Sequence, residues 1–180
     1  ELSKNNTKRA VELLNRSVAT HRYSQEVWEA WMLLGMVYEH QMNFADAVTI
    51  YHKVYRECPH TNIVAWRARV KMAEIAELAS HEESAESILR DVVDAGHPFT
   101  MPRTIAQLYL KEITETHFTD LWTSYHPDDW GFLYHLARKA ILRGEKVVAE
   151  IYLQQLLQYL PSSSWQYVRF YRMINELERL

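Results

Sequence analysis

Nine histidines are the residues in this 180-residue chain best able to ligate a metal or move a proton. They stand at His21, His40, His52, His60, His81, His97, His117, His126 and His135. No two are three or four residues apart, the spacing that puts two ligands on one helix face, and no HExxH occurs. The single cysteine, Cys58, rules out thiolate zinc sites and any intrachain disulfide. It directly precedes Pro59, where a small packing residue is expected rather than a nucleophile. Asp128–Asp129 resembles a carboxylate pair, but its place before Trp130 suits the cap of a helix. Gly35, Gly96, Gly131 and Gly144 form neither a GxGxxG nor a P-loop, and no GxSxG elbow exists. The expectation is a chain without catalytic residues, metal or cofactor, and not an enzyme.

What must then be positioned is a surface. The composition is 48% hydrophobic and 24% charged, enough apolar material for a core. With only 4 glycines and 5 prolines, helices joined by tight corners fit better than a sheet. The formal charge of -3 and the lack of a Lys/Arg block argue against a nucleic-acid partner. Charges interrupt every apolar stretch, so no membrane span is expected. Compartment stays open between the bacterial periplasm or envelope and the cytoplasm, because the sequence opens on Glu1 and one cysteine fits either.

The chain repeats itself. In 28–61, Trp31, Leu34, Gly35 and Tyr38 are followed by Ala47, Tyr51, Val54 and Pro59. In 62–99, Met72, Ala73 and Ala76 precede Ala85, Leu89, Val92 and Pro98. In 130–163, Leu133, Leu136, Ala137 and Ala140 precede Gly144, Ala149, Leu153, Leu156 and Pro161. Small residues at Gly35, Ala47, Ala73, Ala85, Ala137 and Ala149 would let two helix axes approach closely, and the prolines would end each pair. Segment 100–129 is degenerate. A helix is expected over Pro102–Thr116, with Ile105, Leu108, Tyr109 and Ile113 on one side, and a short partner over Thr119–Tyr125, stopped by His126–Pro127.

The ends follow the same plan. Residues 1–24 read as a partial leading unit, its helix over Asn5–Ala19 turning Ala10, Leu14 and Val18 inward. Residues 164–180 read as a terminal helix capped by Ser162–Ser164. Trp165, Val168, Tyr171, Ile174 and Leu177 would cover the last hydrophobic face.

Residues 28–61 carry the W-x2-L-G-x2-Y…A…P pattern and so resemble the tetratricopeptide repeat family, with partial matches across roughly 28–163. Pro59-His60-Thr61 followed by Ala65 and Ala68 resembles the start of units in periplasmic bacterial members. The resemblance implies an all-α fold, a single array forming a right-handed α-α superhelix of about ten helices. It further implies a non-catalytic scaffold that holds a protein or peptide in or near a concave groove, as part of a larger assembly. By family geometry, α-helical groove residues would be Met32, Leu33, Met36 and His40 in the first full unit. Arg67, Val70 and Lys71 follow in the second, and Tyr134, His135 and Arg138 in the fourth. Soft Met side chains would mould to apolar groups, and the cations would meet carboxylates. Met32 and Met36 stand where co-chaperones of the family carry a Lys and an Asn, so a chaperone-tail receptor is not expected.

Six tryptophans are either docking aromatics or gap fillers. Two alternatives remain beside the scaffold. One is an RNA-processing array of half-a-tetratricopeptide repeats, partly matched by Trp66 and Glu74 but missed by Trp31-Leu34-Tyr38. The other is a secretion chaperone shielding an apolar segment. Oligomeric state is not legible.

Overall fold

The computed structural model describes residues 2–20, 25–79, 81–95, 101–125 and 131–179. Among them are ten α-helices and no strand. They are α1 (Leu2–Thr20), α2 (Gln25–His40), α3 (Phe44–Glu57), α4 (Ile63–Leu78) and α5 (Glu82–Ala95), then α6 (Met101–Tyr109), α7 (Glu115–Tyr125), α8 (Gly131–Leu142), α9 (Lys146–Gln158) and α10 (Trp165–Arg179). The chain divides into an N-terminal body, 1–106, and a C-terminal body, 107–180, the division falling inside α6.

Within each body, helices adjacent in sequence pack on one another, α1 through α5 in the first and α7 through α10 in the second. Helix α2 also touches α4, the first helix of the next hairpin. This packing is consistent with a helical repeat, in which successive hairpins cover one another's apolar faces.

Four corners share one backbone bond. A helix ends when a residue turns left-handed and the next N–H reaches back to the carbonyl five residues earlier. The N–H groups of Asn43, His81, Glu112 and Glu145 donate in this way to the carbonyls of Tyr38, Ala76, Gln107 and Ala140, each at 2.9 Å. The left-handed residues are Met42 (φ 61°), Lys111 (φ 62°) and Gly144 (φ 72°). The longer connections also match: the N–H of Asn62 meets the carbonyl of Pro59, and that of Ser164 meets Pro161, both at 2.8 Å. Asn62 then caps α4 through the Val64 N–H (3.0 Å), and Ser164 caps α10 through the Tyr167 N–H (3.1 Å).

The six small residues are all buried. Gly35 has the tightest surroundings: a Cβ there would lie 2.8 Å from Cδ1 and 2.9 Å from Cζ of Tyr51, closer than carbon atoms tolerate. The register explains why this one is glycine. Four residues after Ala47, Ala85 and Ala149 stand Tyr51, Leu89 and Leu153. The bulky ring faces a glycine, whereas the repeats that carry leucine have Ala73 and Ala137 at the glycine's position. Each body has its own core. One contains Tyr51, Val54, Val64 and Met72, the other Leu133, Leu153, Leu156 and Ile174.

Several expectations are corrected. The helix expected over Pro102–Thr116 stops at Tyr109, because Lys111 turns left-handed, and Ile113 lies in the turn. Its partner starts at Glu115 rather than Thr119, because Thr114 accepts from the His117 N–H at 3.1 Å and caps it. Four residues after this cap stands Phe118, fully buried, where the other hairpins place alanine. On α10 the buried pair is Phe170 and Ile174, with Met173 and Leu177 partly buried beside them; Val168 and Tyr171 are exposed. Pro98, the His126–Pro127 stop, Asp128–Asp129 and Trp130 lie outside the described residues.

Candidate partner-binding surfaces

Helix α2 exposes one stripe. Leu33 is 50% exposed, His40 is exposed, and Met36 is half-buried against the core. Three others of the ten expected groove residues are buried. Met32 (2% exposed) shares the core cluster with Ala65 and Ala68 of α4, whose small size admits its side chain. Val70 and Arg138 are 4% and 6% exposed.

Of the expected cations, Arg67 and Lys71 already have carboxylates. Arg67 donates to both oxygens of Glu29 at 2.8 and 3.0 Å, tying α4 to α2. The pair is exposed enough that water screens most of its energy. Lys71 donates to Glu74 at 2.8 Å and lies 3.7 Å from Glu39, which in turn accepts from the Tyr51 hydroxyl at 3.0 Å. Glu74 is wholly buried and Glu39 nearly so, so this three-helix network sits at low dielectric, where losing one member strands the others.

In the C-terminal body, Tyr134, His135 and Arg138 also turn to one another and to the core. Arg138 donates to the Tyr134 hydroxyl at 3.1 Å. The His135 ring lies among Tyr109, Phe118, Trp122 and Tyr134, with its Nδ1 3.0 Å from the Tyr109 hydroxyl. Trp66 and Trp122 are buried, so these two tryptophans fill gaps.

Two junctions that the sequence did not single out differ sharply. In the N-terminal body, α3, α4 and α5 are clasped by Arg69, Asp91 and Tyr55. The Asp91 carboxylate accepts from Arg69 Nε at 3.0 Å and from the Tyr55 hydroxyl at 3.1 Å. The Arg69 guanidinium lies over the Tyr55 ring, 4.7 Å from its centre. His60 stacks on the same ring and Trp66 closes the side, its indole N–H donating to the His60 carbonyl at 2.8 Å. Burial, and then the Asp91 charge, push the Tyr55 hydroxyl above its ordinary pKa. Burial likewise raises the Cys58 thiol, which keeps it protonated and inert at neutral pH.

In the C-terminal body the corresponding place, between α7, α8 and α9, is an open cleft of about 620 Å³. Thr119 and Asp120 of α7 line one side, Gln155 of α9 and Tyr159 at its C-terminal end the other, and Leu133 of α8 lies between them. At one end Glu115 holds α7 to its neighbours. It lies 3.2 Å from Lys139 Nζ and 3.8 Å from Arg143, and accepts from the Tyr152 hydroxyl at 3.1 Å. Burial lowers the Lys139 pKa despite Glu115, and burial together with Glu115 raises that of Tyr152. The signal for both junctions was in the sequence, but only through register. Counting from Ala73 and Ala137, Leu133 stands where Arg69 does; counting from Ala85 and Ala149, Gln155 stands where Asp91 does.

Among the described residues no group of three His, Cys, Asp or Glu side chains could hold a metal ion, and no helix is long and apolar enough to cross a membrane. Fold and surface together define an all-α chain whose neighbouring helices pack within each body, with an exposed stripe on α2 and an open cleft between α7, α8 and α9. No protein-family model matches the chain, and no curated protein matches it.

Proposed function

We propose that this chain is a tetratricopeptide-type array, a right-handed superhelix of helix hairpins. In this reading it works without catalysis, by holding a protein or peptide partner against the first helices of its hairpins. The observation that carries the reading is the recurrence of one hairpin design: small buried residues facing each other in α2–α3, α4–α5 and α8–α9, the same corner bond in four hairpins, and matching Pro turns at Pro59 and Pro161. Such designs present rows of side chains rather than an enclosed reaction site. The buried Cys58 and the internally paired Arg67 and Lys71 add support, since they favour stability over chemistry.

The half-exposed Leu33, with Met36 and His40 along the same stripe, is the apolar contact on the first full hairpin. Immobilised chain should retain a specific protein from its source that the Leu33→Glu variant releases, with circular dichroism unchanged. Equal recovery by both would remove this stripe from the binding surface.

A further inference from the structure

We infer that the cleft between α7, α8 and α9 receives an arginine side chain of a polypeptide partner, in the place that Arg69 occupies in the N-terminal body. The inference rests on the partner-binding reading above but uses a different surface, so each can fail alone.

The N-terminal junction shows what this kind of site holds. A guanidinium sits between consecutive second helices, over a tyrosine ring and bonded to a carboxylate. Guanidinium suits both contacts because it is planar, weakly hydrated and presents its donors in a fork. Among the described residues of the C-terminal body no guanidinium takes that place. Leu133 takes the register of Arg69 and Gln155 that of Asp91, and the space stays open at about 620 Å³.

The walls nevertheless keep the complementary chemistry. Among the described residues no cation reaches the exposed Asp120 carboxylate, whereas the nearby Glu115 is fully engaged by Lys139, Arg143 and Tyr152. Tyr159, 63% exposed, offers a ring face at the rim, and the Gln155 amide oxygen offers a second acceptor. Leu133 between them gives the arginine's methylene stem, or an apolar neighbour, a surface to cover. An anionic ligand would meet the Asp120 carboxylate and be repelled, the Glu115 charge being already compensated by Lys139 and Arg143. A neutral one would leave Asp120 facing a cleft it had closed to water. Charge complementarity therefore selects a cation, and the ring and fork geometry select arginine.

The test is a titration of the ¹⁵N-labelled chain with acetyl-Leu-Arg-amide, alongside acetyl-Leu-citrulline-amide, in which a neutral urea replaces the guanidinium. Amides of Thr119, Asp120, Gln155 and Tyr159 should shift with the arginine peptide and not with the citrulline one. Asp120→Asn should weaken binding by about five-fold, the effect of one exposed charge pair. Gln155→Asp, which restores the carboxylate of the closed junction, should tighten it by a similar factor. Equal shifts with both peptides, shifts spread over other acidic residues, or affinity indifferent to both substitutions would overturn the inference. Concentration-dependent shifts of the same amides without peptide would assign the cleft to a second copy of the chain and overturn it too. The Leu33→Glu variant should bind the arginine peptide unchanged, which separates this site from the α2 stripe.

Discussion

The α3–α4–α5 junction and the α7–α8–α9 junction are built from the same kind of hairpin, yet one is closed and the other open. In the closed junction the second-helix alanines, Ala47 and Ala85, let the helices sit close. Arg69, Asp91 and Tyr55 then bridge what space is left. In the open junction Phe118 takes the alanine position of α7, and the ion pair is replaced by Leu133 and Gln155. The difference teaches that a helical repeat is held at two levels. Small residues set how near the helices lie within a pair, while a few long polar side chains decide whether neighbouring pairs are sealed. Changing the second level leaves the fold intact and creates a place for something else to bind.

The largest effect that sharpens this contrast is expected at Phe118. Because it is fully buried against Trp122 and His135, Phe118→Ala should cost about 3–5 kcal/mol in urea unfolding. A loss below about 1 kcal/mol would mean that the open junction does not lean on this ring. Next comes the clasp. Asp91→Ala deprives Arg69 and Tyr55 of their shared acceptor and should cost about 1 kcal/mol, a value discounted because Asp91 is partly exposed. Gln155→Ala, in the same register, should change stability by less than about 0.5 kcal/mol. Equal costs at the two sites would erase the distinction between the junctions.

A smaller effect is expected in alkali. The folded-state pKa of Tyr55 is raised above the ordinary 10.0, so its contribution is fully present below that pH and is lost as the pH rises through the folded value. Tyr152 behaves alike, but Lys139, whose folded pKa is lowered from 10.5, gains stability over the same rise and opposes it. Thermal unfolding followed on the alkaline side of pH 10.0 should therefore show a shallower decline in Tyr55→Phe than in the parent chain. An unchanged slope would show that the Tyr55 hydroxyl is not shielded by the clasp.

The helical pattern and the close-packed positions were legible because steric demand leaves few choices. No side chain larger than hydrogen fits at Gly35; Ala73 and Ala137 are small residues at fully buried positions; and Pro59 and Pro161 follow helix ends that a proline cannot continue. The third hairpin was blurred because its corner uses Lys111, which carries no sign in sequence that it will turn left-handed as Gly144 does. Phe118 hid the repeat for a similar reason, since a large residue at a small position reads as a mismatch. The binding surface was the least legible part. Whether Met32 or Leu33 faces outward depends on where the next hairpin lands, and Ala65 and Ala68 admit Met32 rather than leaving it exposed. Nor can spacing within one helix reveal that Arg67 has a carboxylate waiting 38 residues away at Glu29. Register between repeats was the unused signal: aligned on their alanines, Arg69 against Leu133 and Asp91 against Gln155 mark the junction that would open.

The most direct measurement is the urea unfolding free energy of Gly35→Ala. At an uncrowded position inside a helix this change stabilises by about 1 kcal/mol, because alanine is the better helix former. Here the added methyl would strike the Tyr51 ring, so the variant should be less stable than the parent by about 1–2 kcal/mol. A stabilised variant would contradict helix axes brought into contact through small side chains, and with it the hairpin design on which the binding surfaces rest.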